Sequence, residues 1–286
     1  MTTETKSRSQ DLTNRIARTI AFIGDNLNRD LRLDTLAAVA CFSPHHFQRL
    51  YLALVGETPA ETHRRLRLHR AASALVLGPL AITTIAQQAG YGSTAAFGRA
   101  FAAMFGVPPA TYRRRGHLML PPSSHPLAGD QPMYQVDIVT APALTLAALE
   151  HRGPYGEIPP TFQRVFLMAG AAGLMTKDTL SIGIYYDDPA SVPADQLRSH
   201  AGIILEDGVA CPPTLTPVTL PATRAARLVF QGPYAELQKP YAWLYGTWLQ
   251  TSGEEPADVP SYEIYLNDCQ ALPPAEWLTA IYLPLR

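Results

Sequence analysis

Apolar positions recur along the N-terminal half with helical spacing. Phe47, Leu50, Tyr51 and Leu54 fall at i, i+3, i+4 and i+7, and Phe97, Ala100, Phe101 and Met104 repeat the pattern 50 residues on. Each segment predicts a helix with one apolar stripe, leaving His45, Arg49 and Leu52 on the far side of the first and Ala95, Arg99 and Ala102 on the far side of the second. A shorter apolar-periodic segment precedes each one. LDTLAAVACFS from Leu33 matches ITTIAQQAGYGS from Ile82 at an offset of 49, and one extra residue in the second turn makes the later offset 50. Ser43 and Ser93 stand where N-caps belong, and Pro44 follows the first at a position where its missing N–H costs nothing. Gly90 suits the second turn, whereas Cys41 in the first must accept a backbone better suited to glycine. Each copy therefore reads helix, tight turn, helix, the arrangement that presents a helix to the DNA major groove.

A second duplication fills the C-terminal half. LEHRGPYGEIPPTFQRVF matches LVFQGPYAELQKPYAWLY at an offset of 79, and IYYDD from Ile184 matches IYLND from Ile264 at 80. Each copy predicts strand, GPY turn, helix, strand, strand. Tyr241, Leu244, Tyr245 and Trp248 form an apolar stripe at helical spacing, part of which must be core. Period-two alternation through SYEIYLNDC puts Ser261, Glu263 and Tyr265 on one strand face and Tyr262, Ile264 and Leu266 on the other. Glu263 has Gly183 as its counterpart, so the copies agree in scaffold and differ in chemistry. Between the halves, GHLMLPPSSHPLAGDQPM lacks periodicity and reads as a linker.

Charge separates the halves further. Residues 1–120 carry 15 Lys+Arg against 7 Asp+Glu, and residues 121–286 carry 8 against 17, beneath a net charge of -1. The basic half suits a polyanion. No run of apolar residues reaches the roughly 20 that a membrane-spanning helix needs, and the first residues lack a signal-peptide core, so a cytoplasmic protein without membrane contact is expected. Cys41, Cys211 and Cys269 have no metal-ligand spacing, and His117 and His125 have no partner ligands nearby. No metal and no cofactor is expected.

The segment GYGSTAAFGRAFAAMFGVPPATYRRR closely resembles the second helix-turn-helix of AraC/XylS-family transcription regulators, over about Leu12 to Arg115. The resemblance implies two helix-turn-helix units on one side of duplex DNA, with Ala60 to Leu77 as the spacer helix. Pro44, His45, Gln48 and Arg49 match the DNA-facing positions of the first recognition helix, and Thr94, Ala95, Gly98 and Arg99 those of the second. Ala95 and Gly98 offer no bidentate reading of a base edge, so the first unit is expected to supply most discrimination. Arg64, Arg65, Arg67, Arg113, Arg114 and Arg115 are expected to touch phosphates.

Residues 134–286 resemble the GyrI-like effector-binding domain, most specifically in the paired GPY turns and the YEIYLND strand. That implies two pseudo-symmetric α+β modules around a cleft for bulky, aromatic or cationic compounds, with Glu263 reaching into it. Phe162, Tyr241, Trp243, Tyr245 and Tyr282 are the expected aromatic lining, with core packing the competing role for each. A carboxylate among aromatics would attract an organic cation; a glutamate at an edge strand could equally serve a loop or solvent.

The expected fold is thus multidomain: an all-α double helix-turn-helix domain (12–116), a linker (117–133) and an α+β GyrI-like domain (134–286). The expected function is a ligand-responsive transcription regulator, not an enzyme, with double-stranded DNA, RNA polymerase and a small apolar or cationic molecule as partners. The leading alternative is a hydrolase acting on a reactive small molecule with Glu263 as general base. A constitutive DNA-binding protein with a vestigial pocket is the third.

Overall fold

The computed structural model describes the backbone of residues 3–116 and 133–286, with side chains from residue 11 onward. The expected linker at 117–133, with His117 and His125, lies outside the described residues except for its last position.

Among the described residues seven helices form the first part: α1 (Thr3–Asp25), α2 (Leu33–Ala40), α3 (Pro44–Val55), α4 (Pro59–Leu77), α5 (Ile82–Gln88), α6 (Thr94–Phe105) and α7 (Pro109–Arg115). The helix pairs α2–α3 and α5–α6 are the two copies read from the sequence, and α4 is the spacer between them. Helix α4 begins with reciprocal bonds: the Glu61 amide donates to Thr58 Oγ1 at 3.2 Å and the Thr58 amide donates to Glu61 Oε2 at 2.8 Å. Ser93 caps α6 by accepting from the Ala96 amide at 3.1 Å. The expected cap at Ser43 does not form; its hydroxyl is buried without a partner. Cys41 adopts φ 57°, the one left-handed non-glycine among the described residues, where the second copy uses Gly90 at φ 74°.

The second part is one sheet of β1 (Val136–Ala141), β2 (Leu144–Arg152), β3 (Ser181–Tyr185), β4 (Arg198–Ile204), β5 (Thr216–Leu220), β6 (Thr223–Gln231), β7 (Tyr262–Tyr265) and β8 (Leu278–Leu285), all in antiparallel pairs. Helix α8 (Pro159–Ala171) belongs to the first copy; α9 (Gln238–Trp243) and α10 (Leu249–Ser252), joined by a π-helical turn over Leu244–Trp248, belong to the second. The strand order β1-β6-β8-β7-β3-β4-β2-β5 is palindromic under the duplication. Each copy also has a leading strand that the sequence reading missed. The leading strands are exchanged: β1 pairs with β6 of the second copy and β5 with β2 of the first. Each is short, and neither carries the repeated GPY or tyrosine signals.

The cores follow an unexpected division. Leu68, Leu75, Ile85, Phe97, Phe101 and Tyr112 form a core private to α4–α7. Helices α1–α3 instead share theirs with the C-terminal part: Ile16, Ile23, Phe47 and Leu50 belong to one cluster with Leu228, Leu244, Tyr245 and Ile281. Arg15 reinforces this junction with a 2.6 Å salt bridge to Glu255.

Candidate functional site

The centre of the sheet places Glu263 opposite Gly183, on neighbouring strands β7 and β3. Glu263 borders a cleft of about 1950 Å³ lying between α8, α9, the GPY turns and the C-terminal half of α3. Gly183 makes room for two tyrosines that a side chain there would displace. A Cβ there would come within 2.8 Å of the Tyr185 ring and 2.9 Å of the Tyr265 hydroxyl, two residues whose hydroxyls bond each other at 2.7 Å. Tyr265 in turn donates to Glu263 Oε2 at 3.0 Å. The Tyr241 hydroxyl faces the same carboxylate yet is buried without a hydrogen-bond partner.

Glu263 is 3 % exposed. Burial raises its carboxyl to about 7, with the Tyr265 and Tyr241 hydroxyls and the Arg49 charge pulling the other way. A buried carboxyl near neutrality with no cation bonded to it can take up a proton or a positively charged guest.

Of the expected lining, Phe162, Tyr241, Trp243 and Tyr245 border the cleft. Trp243 also packs its ring on Tyr134, with centroids 5.5 Å apart, and is buried. Tyr282 does not border it. Tyr282 is the register partner of Tyr262, on the opposite sheet face from Glu263, and stacks on it at 4.8 Å. Alternation along β8 alone could not say which face was which.

Four lining tyrosines were missed, in two duplicated pairs. Tyr155 and Tyr234 come from the GPY turns; Tyr185 and Tyr265 come from β3 and β7. Their occurrence at matched positions in both copies was the available signal. At Gly232 the turn has φ 148°, and a Cβ would lie 2.8 Å from the Phe230 ring, so the glycine lets the chain cross that ring before Tyr234 enters the cleft.

The positions expected to face DNA divide between the two helices. On α6, Thr94, Ala95 and Arg99 are exposed and Gly98 is partly so. On α3 the expected free face is covered by the C-terminal part. His45 Nδ1 lies 3.2 Å from the Tyr186 carbonyl, and the Asp188 amide donates to Gln48 Oε1 at 3.4 Å. Arg49 donates to the Asp187 carbonyl at 3.4 Å, and its guanidinium lies over Tyr241, 4.2 Å from the ring centroid, and 5.7 Å from that of Tyr245. Pro44, at the start of the same helix, is partly buried. Helical periodicity exposes a stripe without saying what fills it.

Among the expected phosphate contacts, Arg64, Arg114 and Arg115 are exposed. Arg65 is instead held by Glu57, with Nη2–Oε1 at 2.7 Å, and Arg113 donates to the carbonyls of Leu75 and Leu80. Arg67 is half-buried, its Nε has no partner, and a Cβ on Gly90 would run into its guanidinium.

No group of three His, Cys, Asp or Glu able to hold a metal occurs among the described residues. No helix there is long and apolar enough to cross a membrane.

Residues 134–286 match the GyrI-like small molecule binding domain, and residues 36–115 a helix-turn-helix domain. The N-terminal region is similar to the MmsAB operon regulatory protein of Pseudomonas aeruginosa, 30% identical over 95 residues, 33% of this chain and 31% of that protein. It is also similar to the probable transcription factor PqrA of Proteus vulgaris, 34% identical over 98 residues, 34% of this chain and 78% of that one. The chain thus spans about a third of the length of the MmsAB operon regulator. The C-terminal domain of EcmrR aligns with 54% of this chain and 99% of its own, at 19% identity and a TM-score of 0.45.

Proposed function

The chain belongs to the GyrI-like small-molecule-binding family and carries an AraC-type helix-turn-helix domain ahead of that fold, and from this premise we propose that it is a transcription regulator whose DNA affinity is set by an organic cation bound beside Glu263. One observation carries the reading. The carboxylate that would hold the ligand and the helix that would read DNA border the same cleft.

The cleft suits a flat or bulky cation. Aromatic faces supply apolar contact and cation–π attraction, and exclusion of water strengthens the pull of the one acid. Neutral compounds of the same shape would keep the first contribution and lose the second. In the N-terminal part, α6 is open to duplex DNA, whereas α3 must leave the C-terminal part before two units can lie along one flank of a duplex. A ligand that prefers the released arrangement shifts the chain toward DNA binding, by no more than its difference in affinity for the two arrangements. Contact with RNA polymerase would turn that binding into activation.

Selection of bound duplexes from a random library tests the first half of this function, and titration with tetraphenylphosphonium, a bulky aromatic-faced cation, tests the second. Recovery of a site with two separated half-motifs and saturable binding lost in Glu263→Gln are expected. No enriched sequence, or equal binding by Glu263→Gln, would remove the corresponding half.

The raised carboxyl of Glu263 favours one second reading, a general base acting on water. Incubation with activated esters and epoxides, followed by mass spectrometry, decides it: turnover abolished by Glu263→Gln would make the cleft catalytic.

A further inference from the structure

A cation already lies in the cleft, and it belongs to the chain. The Arg49 guanidinium is held over Tyr241 at 4.2 Å, near Tyr245 at 5.7 Å, with one 3.4 Å bond to the Asp187 carbonyl. The fit is incomplete. Arg49 forms no salt bridge among the described residues, and its Nη1 is buried without a partner. The carboxylate of Glu263, which borders the same cleft, likewise has only neutral hydroxyls against it, those of Tyr265 and Tyr241. The side chain therefore takes the aromatic part of a cation subsite without reaching its anionic part.

Resting on the functional reading above, we propose that Arg49 is the resident, replaceable occupant of the ligand subsite, so that an organic cation and the first recognition helix compete for the Tyr241 face. A guest that covers Tyr241 and also reaches Glu263 makes both contacts, where Arg49 makes one. Displaced, Arg49 loses its aromatic and carbonyl contacts together. The polar tethers that then hold the front of α3 are His45 on the Tyr186 carbonyl and Gln48 on the Asp188 amide, both on the segment that follows β3, and His46 between the Tyr245 hydroxyl and the Val259 carbonyl. At the far end Ala53 lies beside Gly246 of the π-helical turn, where a Cβ would stand 3.5 Å from the Ala53 methyl. Ligand entry thus strips the helix of the Arg49 cation–π and carbonyl contacts near its centre, and the residue set free is one matched to a DNA-facing position.

Competition makes a prediction opposite in sign to that of a residue that binds the ligand. An occupied subsite lowers apparent affinity by the fraction of molecules in which it is open. Isothermal titration of the full chain with tetraphenylphosphonium, and with neutral triphenylphosphine oxide, measures this directly. Arg49→Met keeps the aliphatic stem and removes the charge; it should tighten tetraphenylphosphonium binding by about tenfold, and Glu263→Gln should weaken it. Hydrogen exchange of the unmodified chain gives a readout that needs no variant to fold: saturation with tetraphenylphosphonium should speed exchange in residues 44–55 and leave 94–105 unchanged.

The failures are distinguishable. Saturable binding that Glu263→Gln weakens but Arg49→Met leaves equal or weakens overturns the competition and spares the cation-binding cleft. Slower exchange in 44–55 on saturation does the same, since the ligand would then be closing over the helix. Absence of binding to both the unmodified chain and Arg49→Met overturns the cleft reading and the competition with it.

Discussion

His46 Nδ1 lies 2.7 Å from the Tyr245 hydroxyl, a bond between α3 and the helical segment that walls the cleft. Its other ring nitrogen lies 2.9 Å from the Val259 carbonyl, which can only accept. Nε2 therefore carries the proton and Nδ1 accepts from Tyr245, whose oxygen can in turn accept from Ser261 Oγ at 3.0 Å. Both partners suit the neutral ring, and burial enforces it. Burial lowers its pKa to about 3, and the neighbouring His45 ring and Arg49 charge act in the same direction.

The junction between the two parts should accordingly be acid-sensitive. A histidine held at about 3 when folded and at its ordinary 6.5 when unfolded leaves stability intact above 6.5 and removes it as pH falls toward 3. The slope is about 1.4 kcal/mol per pH unit in that window. His46→Phe, compared with the unmodified chain by urea unfolding, should lose less stability on acidification, although the lost bond to Tyr245 lowers its stability at pH 8. Parallel pH profiles for the two would contradict the assignment.

Glu263 has the opposite sign. Its folded carboxyl keeps its proton to about 7, while the unfolded one gives it up near 4.5. Its ionisation therefore lowers stability progressively as pH rises from 4.5 through 7, and Glu263→Gln should gain relative to the unmodified chain across that interval. The total is on the order of 3 kcal/mol. The same titration sets ligand affinity. Tetraphenylphosphonium should bind more tightly at pH 8 than at pH 6 in the unmodified chain, and equally at both in Glu263→Gln.

Gly183→Ala should damage the cleft without touching its acid. The new methyl would meet the Tyr185 ring at 2.8 Å and the Tyr265 hydroxyl at 2.9 Å, parting the hydroxyl pair that orients Tyr265 toward Glu263. A loss of about 1–3 kcal/mol in unfolding free energy is expected, with weaker binding of charged and neutral ligands alike. A variant as stable as the parent would show that the tyrosine pair moves aside freely.

The two recognition helices should respond differently to mutation. Arg99 is exposed on α6, so Arg99→Ala should weaken DNA binding with or without ligand and lower the salt slope by about one if it meets a phosphate. Arg49→Ala should weaken binding by roughly 1–3 kcal/mol, if it reads a base, only after ligand has released α3. Gel-shift titrations on a selected duplex separate these cases; equal effects of Arg49→Ala in both states would mean that α3 is never covered.

Much of this architecture was legible because it is duplicated. Two copies of a helix pair at offsets of 49 and 50, and of a GPY turn at 79, specify elements that a single copy leaves ambiguous. The asymmetry of Glu263 against Gly183 pointed to the cleft for the same reason. What stayed hidden depends on contacts between parts. The exchanged strands β1 and β5 pair across copies, Tyr282 lies on the face away from the cleft, which alternation could not foretell because it fixes parity and not direction, and the stripe of His45, Arg49 and Leu52 looks like a free face until Tyr186, Asp187 and Tyr241 are packed against it. An arginine suited to a phosphate or a base is equally suited to an aromatic ring.

The central claim is that DNA and an organic cation are linked through α3, and linkage between binding equilibria is reciprocal. The most direct test is to measure the dissociation constant for a selected duplex without and with saturating tetraphenylphosphonium, and that for tetraphenylphosphonium without and with duplex. Both constants should fall by the same factor, about 5-fold or more. Unchanged constants, with each partner binding as if the other were absent, would contradict the claim.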